Sequence, residues 1–98
     1  MLNKTIERCY VLRADCRNNE ILTCEYMYIC DIQDNQMKKE LRYSMTPNIM
    51  YADRLHYRQG LERILEHINK DMENYEEKLK FEIVLVEFTT TVEEKADE

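Results

Sequence analysis

The chain has 98 residues, 44% of them hydrophobic and 35% charged, and its formal net charge is −6. This length allows one domain with a modest core, and the composition is typical of a folded protein. No apolar run approaches the ~20 residues that cross a bilayer, and the first residues lack the apolar stretch of a secretory signal, so we expect a cytoplasmic protein without membrane contact. The negative charge disfavours direct nucleic-acid binding and suits a partner with a basic surface.

Three segments in the first half of the chain alternate apolar and polar residues, as strands do. They are Thr5–Arg13, Ile21–Ile32 and Met37–Met45. The polar stretches 15–20 and 34–36 are rich in turn-forming residues and suit the connections between them. The third strand carries a charged face, which is typical of a strand at the edge of a sheet.

One long amphipathic helix is predicted after these strands. From Tyr57 to Leu79 the apolar residues recur at steps of three, four and seven, which places them on one face of a helix. Asp53 is the best N-cap candidate, and a start near Asn48, next to Pro47, is the alternative. The glutamates that form one column beside the apolar face are Glu62, Glu66, Glu73 and Glu76.

A fourth strand, Phe81–Phe88, is apolar on both of its faces, which predicts burial on both sides. The element order is then β-β-β-α-β. We predict a two-layer α+β domain over residues 1–92, with a four-stranded mixed sheet of order 4-1-2-3 and the helix packed on one face. The fourth strand is expected to lie parallel to the first and third. Residues 93–98 are predicted to form a frayed acidic tail.

One helix covers one face of such a sheet, so the other face is left with apolar and aromatic side chains. A large apolar patch of this kind usually marks an interaction surface. The sheet residues predicted at a partner or dimer interface are Tyr26, Tyr28, Val84, Val86 and Phe88. The alternative is that the sheet curls and segment 46–56 covers its second face.

The sequence contains no pattern that indicates catalysis. The four cysteines show no Cys-x-x-Cys spacing, and we expect reduced thiols packed as small hydrophobic residues. Glycine-rich phosphate loops and nucleophile motifs are absent. His67 and Asp71 are four residues apart and are expected to form a loose surface pair. We therefore predict no catalytic residue, no metal ligand, no cofactor and no enzymatic activity.

Together these features favour a small non-catalytic protein-binding module, similar in type to inhibitor or adaptor proteins of phages and mobile elements. The acidic helix column would steer the protein, expected as a homodimer, to a basic nucleic-acid-binding site on a partner and block it. The alternative is a small-ligand-binding or enzymatic domain with a pocket between helix and sheet. A third class is a structural subunit whose only partner is itself.

Overall fold

The structure is a computed structural model that describes residues 2–95. Over this range it contains four strands, a short 3-10 helix and one α-helix. In chain order, the bounds are β1 (Leu2–Asp15), β2 (Tyr26–Asn35), β3 (Glu40–Thr46), the 3-10 helix (Ile49–Tyr51), α1 (Leu61–Met72) and β4 (Phe81–Glu93). The predicted α+β class and the β-β-β-α-β order are confirmed.

The four strands form one sheet in the order β3-β2-β1-β4, which has the same neighbours as the predicted order 4-1-2-3. All three pairings are antiparallel, so the predicted mixed sheet with a parallel fourth strand is wrong. The longest pairing joins β1 to β4. It runs from Leu2 opposite Glu93 to Ala14 opposite Phe81 without a register shift.

The direction of β4 differs from the prediction because the chain returns along the sheet before the helix begins. Thr46, the last residue of β3, pairs with Tyr28 of β2, which in turn pairs with Arg13 near the end of β1. Leu55 lies opposite Tyr10, which is closer to the start of β1. The helix then runs the other way, since Asn69 near its end is hydrogen-bonded to the backbone of Phe81. β4 starts at that end and comes back antiparallel to β1.

The same returning segment splits the sheet. β1 and β2 share only three residue pairs, at 13–15 of β1. Beyond them the chain enters between the two strands. The N–H of Asp53 donates to the Ile29 carbonyl of β2 at 3.1 Å, and Leu55 exchanges two backbone bonds, of 2.7 and 2.9 Å, with Tyr10 of β1. The sheet therefore curls instead of forming a flat layer.

Residues 2–10 of β1 and 85–93 of β4 continue as a two-stranded extension, here called the distal ribbon. Within residues 2–95, no other strand of the sheet pairs with it; Tyr10 adds only its bridge to Leu55. The molecule is correspondingly elongated, with extents of 58, 37 and 21 Å and a Cα radius of gyration of 16.6 Å. A compact domain of this length has a radius of gyration of about 13 Å.

The helix is too short to cover this ribbon. α1 has 12 residues and β4 has 13, which correspond to about 18 Å of helix and about 44 Å of strand. The predicted long helix is wrong at both ends. It begins after Gly60, whose φ of 83° is a left-handed conformation that glycine adopts readily. It ends at Met72, and turns then lead to Leu79.

The two predicted N-cap residues cap other elements. The Asp53 carboxylate accepts the N–H groups of Asp31 at 3.0 Å and Ile32 at 2.8 Å, where β2 bulges and Asp31 has a φ of 53°. Asn48 accepts the N–H of Met50 at 3.0 Å and so caps the 3-10 helix. Asp53 therefore stabilises the bulge in β2, and Asn48 stabilises the start of the 3-10 helix. Neither residue caps α1.

Side chains pack into one core on each side of the sheet. The first core lies between the sheet and α1, and its buried members are Leu12, Ala14, Cys16, Ile29, Ile68, Met72, Leu79 and Phe81. The second core lies on the opposite face. Its members, buried or partly buried, are Val11, Tyr28, Ala52, Tyr26, Ile49, Val84, Val86 and Phe88.

β2 begins at Tyr26 instead of the predicted Ile21 because Asn19 holds the preceding residues in a loop. Its side-chain oxygen accepts the N–H groups of Ile21 at 2.9 Å and Leu22 at 3.0 Å, and its side-chain NH₂ donates to the Glu77 carbonyl at 3.1 Å. An asparagine that bonds to the backbone in this way favours a turn over a strand.

At the other end, β4 continues past the predicted Phe88 to Glu93. The first residue of the predicted tail, 93–98, is therefore part of a strand, and residues 96–98 lie outside the described residues. In the described part of the chain, no helix has the length and apolar character needed to cross a membrane.

Candidate functional site

The five sheet residues predicted at an interface are brought together by the fold, and all belong to the second core. They are Tyr26, Tyr28, Val84, Val86 and Phe88. Tyr28 is only 6% exposed, and Ala52 packs on the same face. The segment after β3 thus covers much of this face, which is the alternative that the sequence left open. A binding role for the five residues stays a prediction.

Near Phe88 this covering segment is tied to the ribbon by ionic contacts. The Arg54 guanidinium lies 3.9 Å from the centre of the Phe88 ring and donates to Glu7 at 2.6 Å. His56 contacts the other oxygen of Glu7 at 2.8 Å. The hydrogen bonds from His56 and Arg54 lower the pKa of the Glu7 carboxyl below its usual range. Glu7 therefore holds the segment against the ribbon.

The predicted acidic column is only partly helical. Glu62 and Glu66 lie within α1, Glu73 follows its last residue, and Glu76 lies in the turns beyond. Arg58 donates to Glu62 at 3.2 Å. Among residues 2–95, Glu66, Glu73 and Glu76 have no ion-pair partner within 4 Å. The role of the four glutamates in binding stays a prediction.

The orientation of α1 puts these glutamates along β4. Asn69 lies in the same column and forms two hydrogen bonds with the Phe81 backbone, of 3.0 and 2.7 Å. At about 100° per residue, Glu62, Glu66 and Glu73 share this side of the helix. These three residues are here called the acidic margin. They border the outer side of β4.

The opposite side of α1 is engaged by β2 and β3. Arg63 is hydrogen-bonded to Asp34, and the Tyr43 hydroxyl donates to Asp71 at 2.9 Å. The basic side of the helix is thus used inside the chain. The acidic side faces solvent next to the free side of the sheet.

Three large aliphatic side chains are exposed on the helix side of the β1–β4 pair, at positions that the sequence reasoning missed. Leu2 is 69% exposed, Ile6 50% and Leu85 63%. The register places all three on the face of the sheet that α1 covers further along. We call them the ribbon face. The sequence predicted burial on both sides of β4, and only a comparison of strand length with the true helix length would have revealed this surface.

The outer side of β4 is a free sheet edge. β4 is the last strand in the sheet order, and no described strand pairs with its outer side; at Phe81 the Asn69 side chain already binds the outward N–H and C=O groups, so the unpaired part of the edge begins after Phe81. The strand contains neither proline nor glycine, and its register with β1 is continuous. Unpaired N–H and C=O groups along such a strand form a template for another strand.

A cavity of about 820 Å³ lies between β3 and the end of α1, where the ligand-binding alternative would place its site. Two of the polar residues that line it, Tyr43 and Asp71, are hydrogen-bonded to each other. Burial, and secondarily the bond to Asp71, raises the pKa of Tyr43. A tyrosine with a raised pKa does not act as a base near neutral pH. The pair satisfies itself and favours a structural role.

Histidine and cysteine side chains are the other reactive groups of the described residues. In the described residues, no three His, Cys, Asp or Glu side chains converge as metal ligands do. His67 lies 3.6 Å from Asp71 at the surface. All four cysteines are free thiols. Burial, with a contribution from nearby Cys24, raises the pKa of Cys16 to about 11, which disfavours the nucleophilic thiolate.

No family model, no curated protein and no solved structure matches the chain. Its function is therefore inferred from its own geometry, in which the ribbon face, the acidic margin and the free β4 edge lie next to one another.

Proposed function

We propose that this chain is a non-catalytic protein-binding module whose partner presents apolar and basic side chains to the ribbon face and the acidic margin. The observation that carries the proposal is the exposure of Leu2, Ile6 and Leu85 at the place where the helix no longer covers the sheet. Apolar side chains exposed along one face of a strand pair can supply the apolar contacts of an interaction site; Lys4 and the Arg8–Glu87 ion pair lie between them on the same face.

The exposure of these three side chains indicates how much the ribbon face can contribute to the free energy of binding. Complete burial of a leucine or isoleucine yields about 1.5–3 kcal/mol relative to exposure. Since the three side chains are 50–69% exposed, covering them would contribute about 3–5 kcal/mol before the cost of association. The ribbon face supplies part of the affinity, and further contacts are needed for a stable complex.

The acidic margin supplies the electrostatic contribution. Glu66 and Glu73 have no cationic group within 4 Å among the described residues, whereas six arginines of the chain are each within 4 Å of one of its own carboxylates. At physiological salt, charges act over about 8 Å. A partner with lysines or arginines beside an apolar patch would be attracted to this margin and held in one orientation.

Steric blocking is the mechanism that follows from such a complex. A groove that binds nucleic acid is lined by basic side chains, so its chemistry is complementary to the acidic margin. An elongated chain seated in the groove would compete with nucleic acid for the same basic residues. This supports an inhibitor or adaptor role.

Partner capture by tagged variants tests the proposal. The paired substitution Ile6→Asp with Leu2→Asp should abolish capture of the proteins that the wild-type chain enriches from a lysate of the source organism. Met37→Asp is the matched control, because Met37 is 97% exposed and lies in the turn before β3. Circular dichroism checks that each variant is folded.

The charge contribution is tested separately. Glu66→Lys with Glu73→Lys should weaken capture and reduce its dependence on salt, whereas Glu20→Lys in the β1–β2 loop should leave both unchanged. Equal capture by the wild type and the ribbon-face variant would overturn the proposal. Equal capture by the charge variant would remove the acidic margin from it.

A further inference from the structure

We propose that the outer edge of β4 pairs antiparallel with β4 of a second copy of this chain. The two four-stranded sheets would then form one continuous sheet with β4 strands at its centre. This inference goes beyond the proposed function, because it assigns an occupant to the sheet edge and requires no other protein.

The two edges of the sheet differ in how well they resist such pairing. β3 has seven residues, its exposed face alternates Glu40, Arg42 and Ser44, and the neighbouring β2 bulges after Cys30. Short length, charge and bulges are the features by which proteins prevent edge pairing. β4 has 13 residues, a continuous register and no basic residue. Of these two edges, β4 is the more open to another strand; the far side of β1 in the distal ribbon is also unpaired, but that strand carries Lys4 and Arg8.

Symmetry restricts how two β4 strands can pair. A twofold axis perpendicular to the sheet keeps each face on its own side, so the axis passes through one residue that lies opposite its own copy. Centring on Glu87 would overlap all 13 residues but would put two Glu87 carboxylates opposite each other. Directly opposed like charges destabilise a strand pair. Centring on Phe88 would put Glu82 opposite Glu94 instead.

Centring on Val86 avoids both conflicts. Val84 then lies opposite Phe88 of the second copy, and this pair occurs twice. Pairs of a β-branched and an aromatic side chain are favourable across strands. Each Glu82 lies opposite Thr90, so no carboxylate faces another. Because Asn69 holds the outward backbone groups of Phe81, the pairing runs from Glu82 opposite Thr90 to Thr90 opposite Glu82.

The helix side of this register is also complementary in charge. Lys4 lies opposite Thr91 within one copy, and Thr91 lies level with Phe81 of the other copy, where Asn69 replaces backbone pairing. Lys4 therefore comes two strands away from Phe81, on the side where Asn69 bonds to Phe81 and Glu73 follows one turn later. A lysine of one copy is thus brought toward the acidic margin of the other.

A pair of charge substitutions at Thr90 tests the register. Thr90 is exposed and belongs to neither core. Thr90→Glu places two new carboxylates opposite the two Glu82 side chains, whereas Thr90→Lys places two ammonium groups there. Sedimentation equilibrium from micromolar to millimolar concentration should show a wild-type dimer, a dimer constant weakened about tenfold by Thr90→Glu, and no weakening by Thr90→Lys.

A distance measurement identifies the register independently. A spin label on Thr90→Cys, in a Cys24→Ser background because Cys24 is the one cysteine that is not buried, should report about 27 Å between copies when Val86 is central. Centring on Glu87 or Phe88 would give about 20 or 14 Å.

The outcomes separate the possible occupants of the edge. A dimer with the 27 Å separation and the predicted Thr90 charge pattern supports the inference. A wild-type chain that stays monomeric at millimolar concentration overturns it. A dimer whose dissociation constant is the same in Thr90→Glu as in the wild type also overturns it. A monomer whose capture of another protein is lost in Thr90→Glu would also overturn it, and would assign the edge to a strand of that protein. Loss of capture in the ribbon-face variant leaves these results unchanged, so the two proposals fail independently.

Discussion

The two halves of the β1–β4 pair have the same register but different surroundings. In the half near Ala14 and Phe81, α1 packs on one face and the second core lies on the other. In the distal ribbon, no described helix covers the same face, and Leu2, Ile6 and Leu85 are exposed. The boundary falls between Ile83, which packs against the first core, and Leu85. On its helix face, one strand thus serves as core at one end and as available surface at the other, while on the opposite face the second core continues to Phe88.

This comparison shows that burial along β4 is decided by elements distant in sequence. The strand is equally apolar on both sides of the boundary, with Ile83 and Val84 before it and Leu85 and Val86 after it. The difference comes from where α1 begins relative to the strand, since its other end lies at Phe81.

The largest effect is expected in the covered half, at Phe81. Its side chain is 1% exposed in the first core, so Phe81→Ala should lower the free energy of unfolding by about 4 kcal/mol, measured by urea denaturation. Phe81→Leu is the volume-related control and should cost less than about 2 kcal/mol. A Phe81→Ala variant as stable as the control would contradict the placement of Phe81 in the core.

How much of this covered half was predictable depends on which residues carried the signal. Local periodicity identified the four strands, the helix and the edge position of β3, because neighbouring side chains determine those patterns. The helix ends were missed since Tyr57 and Tyr75 continue the apolar spacing while both are exposed, at 82% and 53%. The helix begins only after Gly60, which has a left-handed φ, and the apolar spacing on either side of Gly60 gives no sign of this start.

The candidate site was predictable only in part for the same reason. The five residues of the predicted sheet interface do lie together, but Ala52 and Arg54 of the returning segment pack on them. Whether a chain segment crosses a sheet face depends on tertiary contacts such as the bond from Asp53 to Ile29. Short-range sequence patterns do not contain that information.

The next largest effect is expected at Asn69, which fixes the helix to the start of β4. Asn69→Ala removes two hydrogen bonds from the Phe81 backbone and should cost about 2 kcal/mol, because partly buried backbone groups lose their partners. Asn69→Asp keeps the acceptor and loses the donor, so its cost should be intermediate. Equal stability of all three proteins in urea would contradict an anchoring role.

A smaller, pH-dependent effect is expected at Glu7, where the covering segment meets the ribbon. Its pKa is lowered from the ordinary value of 4.5 by His56 and Arg54. A lowered folded-state pKa means that the stabilisation is complete above the unfolded value and is lost as the pH falls through the folded one. Glu7→Gln should therefore be less stable than wild type at pH 7, and the difference should vanish in acid.

The control for this titration is Glu20→Gln, which removes an exposed carboxylate that has no ion-pair partner among the described residues. Its stability should follow the wild type at every pH. Urea midpoints measured from pH 7 down to pH 3 distinguish the two variants. A Glu7→Gln difference that persists unchanged in acid would show that Glu7 acts through packing instead of charge.

The smallest effect on folding is expected at Leu85, and it defines the boundary between the halves. Leu85→Ala removes a side chain that is 63% exposed, so the free energy of unfolding should change by no more than about 0.5 kcal/mol. Ile83→Ala, two residues earlier on the same face, should cost about 2 kcal/mol because Ile83 packs against the first core. Both are measured in urea at low micromolar concentration, where self-association contributes least. Similar costs for the two substitutions would mean that cover extends past Ile83, and Leu85 would then belong to the core instead of the surface that we propose for binding.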